Sequence, residues 1–307
     1  MICTMGEMIV EIMRNEVDAP LNEAGVFLGP FPSGAPAIFI DTVAKLGHSA
    51  AIIGGVGKDD FGRCLTDRLT KDGVDCSLVG EYTEASTGCA FVTYFSDGGR
   101  KFIFHIGNTP AAMPKMPPKE KLPDTDYFHV MGCSLMASEA FGREIVKVMY
   151  KMKEKGARIS FDPNVRPELL GNADLVNEVL SKTNILMPGV SELLMISGCD
   201  TVEDAVKKCF ENEFLEIIAL KNGSKGCRVF TRDGEFSQGI YEVEPLDATG
   251  AGDSFDGAFL VALAEGKDVR TAAKIASAAA ALNTAAFGPM EGKISKESVA
   301  AMMAKGE

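Results

Sequence analysis

Asp247-Ala248-Thr249-Gly250-Ala251-Gly252-Asp253-Ser254-Phe255-Asp256-Gly257-Ala258-Phe259 is the most informative stretch of this 307-residue chain. It follows an extended acidic run, Tyr241 to Leu246, and opens an apolar helix read as Gly252 to Glu265. Small residues at a helix start leave the first backbone N–H groups bare, and those donors together with the helix dipole suit an anion. Asp253 falls in the first turn. A carboxylate there repels a phosphate, but it suits a group that takes a proton from an attacking hydroxyl. Read alone, the stretch is also an ordinary glycine-rich helix cap with an acid favourable to the dipole.

Outward from this stretch, short apolar β-type runs alternate with helical patterns. Strands are expected over Ile2 to Ile12, Ala50 to Gly55, Gly88 to Phe95, Phe102 to Ile106, Tyr127 to Met131, Arg158 to Phe161, Ile185 to Met187, Ile217 to Leu220 and Cys227 to Phe230. Helices are expected over Ala37 to Leu46, Phe61 to Lys71, Ser138 to Lys155, Val202 to Phe210, Val269 to Ala286 and Lys296 to Ala304. The strands from Tyr127 onward are continuous hydrophobic runs, as in a parallel sheet covered on both faces. The βα alternation points to a three-layer α/β sheet with right-handed crossovers. Gly88 to Phe95 and Lys101 to Ile106 interrupt it: only Ser96-Asp97-Gly98-Gly99-Arg100 separates them, a hairpin expected to stand outside the parallel sheet. Pro110 to Pro123 reads as a linker back to the core.

Composition removes several classes of function. A net charge of −12 argues against nucleic acid, whose phosphates need a basic face. The eight cysteines are scattered without a CxxC pair and no signal peptide is evident, which reads as reduced thiols in a cytosol. Three histidines, none at metal-ligand spacing, argue against structural zinc. No apolar run approaches the ~18 residues of a membrane span. A dinucleotide-binding dehydrogenase is disfavoured because no GxGxxG follows the first strand.

The thirteen residues from Asp247 to Phe259 resemble the C-terminal signature of ribokinase-like (PfkB) sugar kinases, D/N-T-T-G-A-G-D-x-F-x-G-A-F, with Ala248 the one departure. Ser33-Gly34-Ala35-Pro36-Ala37 is similar to the family's N-terminal G-G-A-P-A-N segment. Gly55-Val56-Gly57-Lys58-Asp59-Asp60-Phe61-Gly62 and Asp72-Gly73-Val74-Asp75 resemble its V-G-x-D-x-F-G and e-G-V-D elements. Phe161-Asp162-Pro163-Asn164-Val165-Arg166-Pro167 looks like the F-D-P-N-x-R-P segment of fructokinases and 2-keto-3-deoxygluconate kinases, and Lys221-Asn222-Gly223-Ser224-Lys225-Gly226 like the K-x-G-x-x-G turn. Read singly, Asp162 is equally a turn cap before a proline, and Gly223 a strand-end turn.

The resemblance covers nearly the whole chain. It implies one ribokinase-like domain over 1–307: a three-layer αβα fold with a mostly parallel central sheet and a small β-sheet lid formed by about 10–32 and 87–109. It implies an ATP-dependent carbohydrate kinase that uses Mg2+ and a monovalent cation such as K+. Asp253 would be the catalytic base and Gly250, Ala251 and Gly252 the anion hole. Glu11, Gly34, Ala35, Phe104, Asn164, Arg166 and Asp253 would meet the sugar. Lys221, Gly223, Ser224, Gly226, Thr249, Gly250, Gly252 and Ser277 would meet the nucleotide. Glu192 would act toward Mg2+ through water, or be a first-turn helix acid, and Asp247 would stand at the monovalent cation.

Departures from the family pattern bear on the substrate. Ile38 stands where the family's sugar-contacting Asn falls, Glu11 where many members have Asp, and Gly189 where the Asn of N-x-x-E falls. On the second hairpin strand, Phe104-His105-Ile106-Gly107 replaces the Tyr-x-Arg by which keto-acid kinases hold a carboxylate, leaving on the lid strand only His105, mostly neutral at pH 7. The expected acceptor is therefore a neutral ketose of tagatose or fructose type. A 2-keto-3-deoxygluconate kinase and a non-catalytic sugar-sensing protein are the alternatives. The alternating aromatics Phe102 and Phe104, with His105, read equally as a wall for a sugar ring or as a face on which two copies pair.

Overall fold

The computed structural model describes residues 1–96, 98–165 and 173–305. Its strands are β1 (Ile2–Met5), β2 (Ile9–Arg14), β3 (Phe27–Ser33), β4 (Ala50–Gly57), β5 (Val74–Tyr82), β6 (Cys89–Tyr94), β7 (Arg100–His105), β8 (Tyr127–Met131), β9 (Arg158–Asp162), β10 (Ile185–Leu186), β11 (Ile217–Lys221), β12 (Cys227–Thr231) and β13 (Gly234–Gln238). Its helices are α1 (Ala35–Lys45), α2 (Asp60–Asp72), α3 (Gly132–Ala137), α4 (Glu139–Glu154), α5 (Ala173–Leu180), α6 (Val190–Ser197), α7 (Val202–Cys209), α8 (Ala251–Ala264), α9 (Val269–Thr284) and α10 (Lys296–Lys305).

Among the described residues the main sheet runs β13-β12-β11-β10-β9-β8-β1-β4-β5. It is parallel from β11 to β5, whereas β12 and β13 join antiparallel, so the apolar run Cys227 to Phe230 belongs to an antiparallel edge and not to the parallel array. Continuous burial of β1, β4, β8 and β9 follows from helices on both faces. One apolar layer joins α1, α8 and α9 to the sheet through Phe39, Phe259 and Ala276. The other face packs α4 against it through Phe141, Ile145 and Met149. Strand order reverses at β1, which lies between β4 and β8 although the chain goes first to β4. Ligands of open α/β sheets bind beyond the strand C-termini at such a reversal.

Ile2 to Ile12 is two strands and not one. The chain turns at Gly6-Glu7-Met8, and β2 enters a second sheet ordered β3-β2-β6-β7. Gly34 makes the return to the main body: its φ is +103°, and a Cβ there would lie 2.5 Å from the Glu7 carbonyl oxygen, so glycine alone fits between β3 and α1. The hairpin β6–β7 stands outside the parallel sheet as its sequence predicts. No described helix is long and apolar enough to cross a membrane.

Candidate active site

Two cavities open beyond the C-terminal ends of the main-sheet strands. The first, about 880 Å3, is walled by residues that follow β1 (Glu7), β8 (Cys133), β9 (Asn164) and β11 (Asn222, Gly223), and by the second sheet. The second, about 590 Å3, is mostly apolar, with Ile240, Val243, Pro245, Phe255 and Ala280 among its walls. They meet at Lys221, Gly223, Ala248 and Gly252, beside the start of α8.

That start is built for an anion. Gly250 is the N-cap, with φ +79°, and no side chain caps the helix. A Cβ on Gly250 would lie 2.6 Å from the Pro289 carbonyl oxygen, so the turn needs glycine for both conformation and space. Gly252 has room for a Cβ, whose nearest neighbour would be Lys221 Nζ at 3.6 Å. Its value lies in the open approach to the helix end. Asp253 is buried in the first turn and lines the larger cavity with Gly250, Gly252 and Thr249.

Below the helix start, Lys221 Nζ lies 2.7 Å from Asp162 Oδ2 and 3.0 Å from Asp256 Oδ2. Burial alone would lower the lysine pKa, but Asp162, Asp256 and Glu192 together push it up and hold it as an ammonium. Asp162 also accepts a hydrogen bond from the Asn164 N–H at 3.1 Å, the turn cap expected before a prolyl segment. Glu192 Oε2 accepts from the Gly189 N–H at 2.6 Å, the return half of a capping box, whose other half a glycine N-cap cannot supply. Burial first and the Asp162 charge second raise the Glu192 pKa.

The second sheet reaches the same helix start. The Tyr94 hydroxyl donates to Asp247 Oδ2 at 3.0 Å, and Arg100 Nη1 donates to Thr249 Oγ1 at 2.8 Å. Asp247 also accepts from the N–H groups of Thr249 (2.9 Å) and Gly288 (3.2 Å), so its buried carboxylate ties three segments together. At the far end of the large cavity Glu11 Oε1 accepts from Ser33 Oγ at 2.6 Å, and Glu7 accepts from Cys133 Sγ at 3.1 Å and from Ser134 Oγ.

The structure thus brings Glu11, Gly34, Ala35, Phe104, Asn164, Glu192, Thr249, Gly250, Gly252 and Asp253 to the larger cavity. Ser224, Gly226, Ala251 and Ser277 fall on the smaller one, and Lys221, Gly223 and Gly252 are on both. Arg166 lies outside the described residues. One reading needs correction: His105 is not on the cavity wall, while Arg100, Phe102, Phe104 and Ile106 are. Alternation along β7 puts even-numbered residues inward, so the cation that this strand turns to the cavity is Arg100. Its parity with Phe102 and Phe104 was the available signal. Glu7, Cys133 and Asp256 escaped notice because their partners lie far away in the chain.

A reversed α/β sheet, a bare glycine-rich helix start and two converging cavities define the ribokinase-like class of phosphotransferase fold. The chain matches the model of the pfkB family carbohydrate kinases over residues 1–296 and belongs to that family. It is 32% identical over 302 residues to the Arabidopsis thaliana protein named probable fructokinase-2, covering 94% of this chain and 91% of that one. An E. coli protein provisionally assigned as ribokinase II, solved with ATP and Mg2+, superposes with a TM-score of 0.92 at 36% identity over 99% of both chains. A Vibrio cholerae fructokinase holding fructose, ADP and calcium shares the fold, with a TM-score of 0.84 at 23% identity over 98% of both chains. The α/β fold with a mostly parallel sheet, the second small sheet and membership of the carbohydrate kinases are as the sequence implies.

Proposed function

We propose that this kinase transfers the γ-phosphate of Mg-ATP to a hydroxyl of a ketose of fructose type, with Asp253 as the base. The observation that carries the reading is the meeting of the two cavities at the uncapped start of α8, where Asp253 sits. Sugar in the larger cavity presents its hydroxyl to Asp253. Nucleotide in the smaller, apolar cavity lays its phosphates against the amides of Gly250 to Asp253. The second sheet acts as the lid that keeps water out, with Tyr94 and Arg100 as its contacts to the helix start.

The metal fits the chain loosely. No group of three or more His, Cys, Asp or Glu able to hold a metal ion occurs among the described residues. Mg2+ would be held by the nucleotide phosphates and water, with Glu192 as the chain's partner to a metal-bound water. A monovalent cation would use backbone carbonyls of 286–288 beside Asp247. Eight free thiols agree with a cytosolic setting.

Arg100 favours a second reading. A lid strand that offers only a mostly neutral His105 favours a neutral acceptor, but Arg100 turns a cation into the cavity, where a sugar acid finds a partner. Comparing kcat/KM for fructose, tagatose and 2-keto-3-deoxygluconate decides between them. Fructose preferred, with Arg100→Leu changing its kcat/KM less than about 10-fold, supports the first reading. Preference for the keto-acid, abolished in Arg100→Leu, supports the second.

A further inference from the structure

At the junction of the two cavities one buried ammonium stands between two buried carboxyl groups. Lys221 Nζ lies 2.7 Å from Asp162 Oδ2 and 3.1 and 3.0 Å from the two oxygens of Asp256. Asp162 is 3% exposed and Asp256 fully buried. Asp256 occupies a position that the resembled signature leaves open.

Charge balance limits what the three groups can be. Two ionised carboxylates and one ammonium leave a net negative charge out of water, directly below a helix start that must receive a phosphate. A proton held between the carboxyls removes that excess and turns a repulsive contact into a hydrogen bond. The neighbours do not replace it. From α6, Glu192 is a further carboxyl, its pKa raised by burial, and brings no positive charge; from β8, His129 is neutral, its pKa pushed down to about 3 by burial; from the preceding turn of α8 comes Asp253. Burial raises Asp256 well above the carboxylate range and a hydrogen bond with Asp162 adds to this, while at Asp162 burial also raises the pKa but Lys221 and the hydrogen bond from Asp256 together hold it low. Lys221 itself lines both cavities, and the Cβ that Gly252 lacks would lie 3.6 Å from its Nζ.

We propose that Lys221 is the cation that meets the phosphoryl group in transit, held at the cavity junction by an Asp162–Asp256 pair that shares one proton. The assignment rests on the phosphoryl-transfer reading above. Lys221 would then be a catalytic residue, and Asp162 and Asp256 positioning residues that keep its ammonium in place without presenting an excess negative charge to the nucleotide.

Infrared spectroscopy of the full chain carrying 13C-labelled aspartate reads the proton without turnover. At pH 7.5 the wild type should show a buried carboxylic-acid C=O band that is lost in Asp256→Asn. In Lys221→Met that component should approach twice its size, because both acids then take up protons. A wild-type spectrum unchanged by Asp256→Asn overturns the shared proton. In kinetics, Lys221→Met should lower kcat by roughly 10²–10³-fold with the sugar KM within about 3-fold, and Lys221→Arg should restore part of the loss. Lys221→Arg retains the charge and serves if the Met variant does not fold: it should keep the acid band. Wild-type kcat in Lys221→Met, or loss of the band in Lys221→Arg, overturns the assignment. Because the spectrum needs no activity, a chain inactive on every sugar would fail the functional reading while the proton is still judged on the band.

Discussion

At the scale of the residue, the two glycines of the helix start should behave differently. Gly250 sits at φ +79° against the Pro289 carbonyl, so Gly250→Ala should cost about 1–3 kcal/mol of stability, read as a lower thermal midpoint. Gly252→Val meets only the flexible Lys221 side chain, so the fold should survive while its branched methyls close the junction. Turnover should vanish at a midpoint within a few degrees of wild type, and a folded, active Gly252→Val would contradict an anion site there. Asp253, Gly250 and Thr249 were legible because one continuous stretch carries them. Arg100 and Asp256 were not, since their importance lies in contacts with Thr249 and Lys221, which only the folded chain supplies.

Among the elements, α1 and α2 hold the loop that underlies the site. Lys45 Nζ and Arg68 both donate to the Met290 carbonyl, Lys45 pairs with Asp41 at 2.7 Å, and Arg68 pairs with Asp72 and Glu291. Burial pushes the Asp41 carboxyl up to about 7 despite Lys45. The folded state then keeps a proton that the unfolded chain loses above its ordinary pKa of about 3.9. That contribution to stability is present at low pH and declines as pH rises from about 4 to about 7. Asp41→Asn should flatten the decline, by an amount of order 3 kcal/mol, in thermal midpoints taken between pH 4.5 and 8. An unchanged slope would show that Asp41 is ionised throughout. Element boundaries were legible where burial is uniform, as in β8 and β9. The split of Ile2 to Ile12 was not, because both halves are apolar and nothing local announces that Gly6 to Met8 passes from one sheet to another. β3, β5 and β13 were missed for the opposite reason: each has a half-exposed pattern that weakens the apolar signal.

For the whole molecule, order along the chain and order in space meet at the switch in the sheet, which is why a C-terminal motif and an N-terminal Gly34 line one cavity. Replacing K+ by a bulky organic cation should slow turnover if carbonyls near 286–288 order the helix start, and an unaltered rate removes that ion from the account. Leu28 and Ile103 are exposed on the second sheet, and pairing of two copies there predicts a sedimentation mass of two chains that Ile103→Glu returns to one. Turnover as proposed here depends on Asp253 taking the proton of a sugar hydroxyl. Its most direct test is sugar-dependent ADP release from Mg-ATP, measured side by side for the wild type and Asp253→Asn. The expected result is release stimulated by fructose or a related acceptor in the wild type, with kcat lower by about 10²–10⁴-fold in Asp253→Asn and nucleotide affinity nearly intact. Near-normal kcat in Asp253→Asn would contradict it.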